Sequence, residues 1–247
     1  MTKYYNSKRS AEWNYGGKNW RLSRSKLELF MDCPRCFYLD NKFGTKRPPG
    51  YPFSLNTAVD TLFKKEFDIH RAKEEQHPLQ KEYGVDARPV AHEELDVWRD
   101  NFKGMEFKDS KTGIIISGAI DDLWINSKGE YIVVDYKSTS TEEEIKTMEK
   151  DHHQGYFRQM EVYQWLLRQK GYKVSDIGYF IFANGKTDAK AFDAKLEFDV
   201  TLIEHKGDDS WVRSAIDKAH ACLKSNKIPE SSGSCDYCAY FESRKSA

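Results

Sequence analysis

The 247-residue sequence holds 39 Lys+Arg against 39 Asp+Glu, a formal charge of +0, with 39% hydrophobic and 32% charged residues. That composition excludes a long disordered tail or a fibrous repeat, and the neutral balance denies the chain the overall basicity of many nucleic-acid binders. Its start is polar and basic without an apolar leader, and no apolar run reaches bilayer length, so a cytoplasmic α/β enzyme is expected, one domain with terminal additions.

Residues 1–50 read as a basic arm. Lys3, Lys8, Arg9, Lys18, Arg21, Arg24, Lys26, Arg35, Lys42, Lys46 and Arg47 stand there against Glu12, Glu28, Asp32 and Asp40. Tyr4, Tyr5, Trp13, Tyr15 and Trp20 are interleaved with the cations, which suits stacking on bases as well as packing of the arm onto the body. Ser25 is the expected cap of a short helix presenting Leu27, Phe30 and Met31, and Pro34 opens a further turn reaching Leu39. Beyond the loop KFGTKRPPGYP, Val59, Leu62, Phe63 and Phe67 recur at helical spacing and predict a helix over 56–71. Residues 73–92 read as a polar connection and 93–102 as a short helix.

The middle of the chain changes period. IIISGAIDDLWI and YIVVDYK, joined by the turn sequence NSKG, predict consecutive antiparallel strands over 114–137. A helix over 153–170, strands over 177–183 and 195–202, and a helix over 209–224 follow. His152 and His153 are expected to be exposed on the first of these helices. No GxGxxG opens a helix and no GKS or GKT follows a strand, so an ATPase is not supported.

Side chains two apart on a strand share a face, so Asp135 and Lys137 should project together, and pairing across NSKG brings Asp121 beside them. Two carboxylates and an ammonium at one point suit a hard cation such as Mg²⁺ or Mn²⁺, with Lys137 orienting water or stabilising developing charge. Gln159 and Tyr163 share one face of the following helix. Cys33 with Cys36 and Cys235 with Cys238 form two CxxC pairs, whose four thiolates complete a tetrahedral shell when joined; zinc is the simplest reading of such pairs, and Cys222 stands alone.

GAIDD at 118–122, DYK at 135–137 and QMEVY at 159–163 resemble the successive motifs of RecB-type PD-(D/E)XK nucleases. SKLELFMDCPRCFYL near the start and CDYC near the end extend the similarity to CRISPR-associated adaptation nucleases with a cysteine metal cluster. The resemblance implies a central mixed sheet flanked by helices, a restriction-endonuclease-like core over 51–205, with the arm and first CxxC at 1–50 and a helix and second CxxC at 206–247. It further implies metal-dependent hydrolysis of DNA, at single strands or strand ends. Asp121, Asp135 and the Tyr136 carbonyl would hold Mg²⁺ or Mn²⁺, Lys137 would assist the water, and Gln159 and Tyr163 would position the strand. Many members place a metal-binding His on the helix before the sheet, where this sequence offers Asp60. Similar nucleases hold an iron-sulfur cluster with one N-terminal and three C-terminal cysteines, whereas this chain divides them two and two, leaving iron-sulfur, zinc and unligated thiols open. The alternative reading is a catalytically inactive nucleic-acid-binding subunit of a DNA-processing or CRISPR adaptation complex.

Overall fold

The computed structural model describes residues 9–50 and 54–245; Lys3, Tyr4, Tyr5 and Lys8 of the basic arm, and the His152 side chain, lie outside the described residues. In chain order the elements are β1 Leu22–Ser23, α1 Arg24–Asp32, α2 Pro34–Phe43, α3 Ser54–Ala72, α4 Pro78–Glu82, β2 Arg88–Pro89, α5 Leu95–Trp98, β3 Met105–Lys108, β4 Ile115–Gly118, β5 Asp122–Ile125, β6 Tyr131–Thr139, α6 Gln154–Gln169, β7 Ile177–Gly185, β8 Phe198–Lys206, α7 Ser210–Lys224 and α8 Asp236–Lys245. They form two compact units, one of residues 1–51, 106–117 and 210–247, the other of 52–105 and 118–209.

In the first unit the cap of α1 is Ser23 rather than Ser25. Ser23 keeps an extended backbone and its side chain accepts from the Lys26 N–H, while Ser25 is already inside the helix. Pro34 opens α2 as expected, but the helix runs on to Phe43 and stops where Gly44 turns left-handed at φ 70°. Leu27, Phe37 and Tyr38 are buried whereas Met31 is exposed. Two aromatics of the arm serve packing: Tyr15 meets Trp20 edge-on at 5.1 Å, and the buried Trp20 donates its indole N–H to Asn41 at 2.9 Å. Arg213 of α7 grips the buried Asp109 carboxylate through two nitrogens, at 2.8 and 3.1 Å. Burial raises the Asp109 pKa, but Arg213 and Thr112 outweigh it and hold the carboxyl well below its usual range. The polar helix α8 was not legible in the sequence pattern, because Cys238 is its one buried residue.

The run read as a single strand before NSKG is split. Its first half, β4, joins a sheet ordered β1-β4-β3, and its second half, β5, joins a five-stranded sheet ordered β2-β5-β6-β7-β8. In the latter, β6 and β7 are parallel and the other neighbours antiparallel, which gives the expected mixed sheet flanked by helices. The supposed polar connection also contains structure: His77 caps α4, Leu79 and Gln80 are buried, and β2 pairs with β5 at the sheet edge. Strand β8 starts three residues later than predicted and continues to Lys206, because it pairs along all of β7.

Alternation along β6 positions everything that follows. Ile132, Val134 and Tyr136 enter a core with Phe63 and Phe67 of α3, so Asp135 and Lys137 turn to the opposite face, where α6 packs. Leu62, expected on the apolar stripe of α3, is instead 61% exposed.

Candidate active site

Asp121 and Asp122 are adjacent but lead to different surroundings. The Asp122 carboxylate is fully buried and accepts from Arg71, from Arg99 at 2.6 Å, from the Trp124 indole at 3.2 Å and from the Tyr136 hydroxyl at 2.8 Å. Every side of it is occupied, and Arg71 and Arg99 are shared in turn with Asp68. This is a saturated structural ion cluster. Burial and the Asp122 charge push the Tyr136 phenol far above its usual pKa, so it remains a donor.

Asp121, in the turn before β5, accepts the Tyr136 N–H at 2.9 Å and retains an open side. Burial, then the nearby Asp135 charge, push its carboxyl up to about 6. Asp135 lies wholly buried on β6, where one oxygen accepts from the Gln159 amide at 2.7 Å and the other from the Lys137 ammonium. Burial lowers the Lys137 pKa, but the Asp135 and Asp121 charges more than reverse this and keep the ammonium charged. The same ammonium stands 4.6 Å from the centre of the Tyr156 ring. Gln159 also reaches the Tyr163 hydroxyl at 3.2 Å, so the two residues singled out on α6 act as one support for Asp135.

Asp60 approaches this group from α3, and its carboxyl is raised by burial and by Asp121. Lys64, one turn later, donates to Asp60 at 2.9 Å and lies 3.7 Å from Asp121. Sequence reasoning passed over Lys64, although its i,i+4 relation to Asp60 was available. It also passed over Gly118. A Cβ there would stand 2.7 Å from the Tyr163 ring, so only glycine lets α6 approach this closely. Beside Lys137 opens a groove of about 480 Å³ lined in part by Ser138, Thr139, Lys150, His153 and Tyr156. His153 is buried there rather than exposed, with its ring accepting the Lys150 N–H at 3.3 Å and stacking near Tyr156, which explains why the expected solvation fails.

Burial and a neighbouring carboxylate raise both Asp121 and Asp60, and together with Asp135 these hard oxygen donors form a set that suits a divalent cation. They do not converge as tightly as the cysteines of the first unit. The ligand atoms of Cys33, Cys36, Cys235 and Cys238 all lie within 4.8 Å of one another, a group that can hold a metal ion. Cys222 stands apart, its thiol raised by burial.

The family model described as the PD-(D/E)XK nuclease superfamily matches residues 21–243. No curated protein matches the sequence. Among solved structures, the chain is similar to a crystal structure of SSO0001, at 12% identity over 85% of this chain and 79% of that one, with a TM-score of 0.35. It is similar also to LHK-Exo in complex with dAMP, at 15% identity over 92% of each chain and a TM-score of 0.39. Superpositions this loose carry no functional argument.

Proposed function

The chain belongs to the PD-(D/E)XK nuclease superfamily, and from that premise we propose that it hydrolyses phosphodiester bonds of DNA with Mg²⁺ or Mn²⁺ held by Asp121 and Asp135. The observation that carries this reading is the meeting of Asp121, Asp135 and Lys137 at one point of the sheet, with the Lys137 ammonium on Asp135 and the Asp121 carboxyl driven upward by burial and by the Asp135 charge. Asp60 and the Tyr136 carbonyl are the further candidate ligands. When bound, the cation supplies Lewis-acid polarisation of the phosphate and acidifies a water.

The chain's own residues do the rest. Gln159, steadied by Tyr163, fixes the orientation of Asp135. Lys137 donates a hydrogen bond toward the attacking water or the phosphate and offsets negative charge as it develops. The groove beside Lys137, with the hydroxyls of Ser138 and Thr139 and the Tyr156 ring, offers a strand both phosphate donors and a stacking face. Single strands and strand ends are the preferred substrates in this reading, on the strength of the RecB-type motifs.

The test is incubation of the full chain with end-labelled single-stranded and duplex DNA in Mg²⁺, Mn²⁺ or chelator. Cleavage that needs the cation is expected. A second reading is favoured by one contact: Lys64 already neutralises Asp60 and stands near Asp121, as it would in a subunit that binds nucleic acid without cutting. Salt-dependent binding with no cleavage on any of these substrates would favour that reading instead.

Asp121 supplies a check independent of cleavage. Its pKa rises from 3.8 to about 6 in the folded, cation-free protein, so between those two pH values the folded chain retains a proton that the unfolded chain has released. The associated stability is full below pH 3.8 and is lost as pH rises through about 6. Asp121→Asn is therefore expected to raise the thermal midpoint of cation-free protein at neutral pH and to abolish the upward shift that Mn²⁺ gives the unaltered chain. An undiminished Mn²⁺ shift in the variant would remove Asp121 from the cation site.

A further inference from the structure

The sulfur spacing in the first unit discriminates between the metal groups that four cysteines hold. A single ion bound through four bonds of about 2.3 Å places its thiolates about 3.8 Å apart, the edge of the coordination tetrahedron. A four-iron cubane binds each thiolate at a different iron on its outer corners, which spreads the sulfurs to roughly 6 Å. Here Cys33 and Cys238 lie 3.8 Å apart, Cys36 and Cys235 3.7 Å, and Cys36 and Cys238 3.7 Å. The widest separation in the group is 4.8 Å or less. The pocket has the size of one ion's shell and has no room for a cubane.

Three further observations agree. Each CxxC contributes as a pair, and the backbone N–H groups of Cys36 and Ser232 both reach the Cys33 sulfur, as donors around a thiolate should. Arg47 donates to the Cys235 sulfur at 3.1 Å, is anchored by Asp32 at 2.5 Å and covers the Tyr237 ring at 4.7 Å. The guanidinium also reaches the Cys36 sulfur, while its buried Nε has no hydrogen-bond partner among the described residues. Four thiolates around a divalent ion leave a net negative charge, which a fixed guanidinium offsets.

We infer that Cys33, Cys36, Cys235 and Cys238 hold one tetrahedral, zinc-type ion rather than an iron-sulfur cluster, with Arg47 as the outer hydrogen-bond donor to its thiolates. The ion is structural: four protein ligands close its shell and leave no position for substrate.

Full-length protein purified anaerobically from cells supplied with both iron and zinc is expected to carry one zinc per chain, negligible iron and acid-labile sulfide, and no visible absorption. Exchange with Co²⁺ should give the intense visible bands of tetrahedral cobalt together with thiolate charge transfer. Iron and labile sulfide in equal amounts, exceeding zinc, with broad visible absorption, would overturn the inference; so would metal-free protein that takes up neither Zn²⁺ nor Co²⁺. Arg47→Ala should speed zinc transfer to a chromophoric chelator by about 10-fold or more and move the cobalt charge-transfer band, with Arg47→Lys restoring part of both. An unchanged release rate and band would remove Arg47 from the assignment while the metal analysis still decides the ion.

Discussion

Lys137→Ala is expected to lower DNA cleavage by about 10²–10⁴-fold in single-turnover assays at saturating Mn²⁺. The ammonium lies on the Asp135 carboxylate, is held charged by Asp135 and Asp121, and faces the groove through the open end of β6. In the proposed mechanism its loss removes the donor to the reacting phosphate or water, and it leaves the apolar core untouched, since Ile132, Val134 and Tyr136 occupy the other face of the strand. The variant should therefore still fold and bind DNA. Binding of a labelled strand separates the two effects: retained affinity with lost cleavage places Lys137 in the chemistry, whereas a rate within about threefold of the unaltered protein would exclude it.

Asp122→Asn should be the most destabilising polar substitution in the second unit, at about 3–5 kcal/mol. Asparagine fills the same volume but carries no charge, so Arg71 and Arg99 would remain buried with only Asp68 between them. Its amide would also set an N–H against donors that the carboxylate now accepts from, among them Trp124 and Tyr136. Urea unfolding reads the effect directly. A midpoint shift equivalent to less than about 1 kcal/mol would show that the cluster is dispensable for folding.

The two aspartates show how far sequence reasoning reaches. Period-two alternation was sufficient to set Asp135 beside Lys137, and the i,i+4 rule sufficed for Gln159 and Tyr163, because both are properties of one regular element. GAIDD itself did not reveal that one aspartate would be saturated by Arg71 and Arg99, since those partners come from α3 and the end of α5, far away in sequence. The split of 114–125 into two sheets was hidden for the same reason. Nothing local distinguishes β4 from β5, and the break shows only in their different strand neighbours. Lys64 and Gly118 were within reach, the first by spacing from Asp60, the second as a glycine interrupting a predicted strand.

The first unit is assembled from both ends of the chain, and its sulfurs span 199 positions between Cys36 and Cys235. On a ribosome the leading CxxC must wait with half a ligand set while the whole of the five-stranded sheet, Arg88 to Lys206, is made. The quartet therefore cannot nucleate folding. It acts as a late latch, closed when the last helix emerges, and nascent chains stalled before Cys235 would carry two uncommitted thiols exposed to oxidation or to the wrong ion.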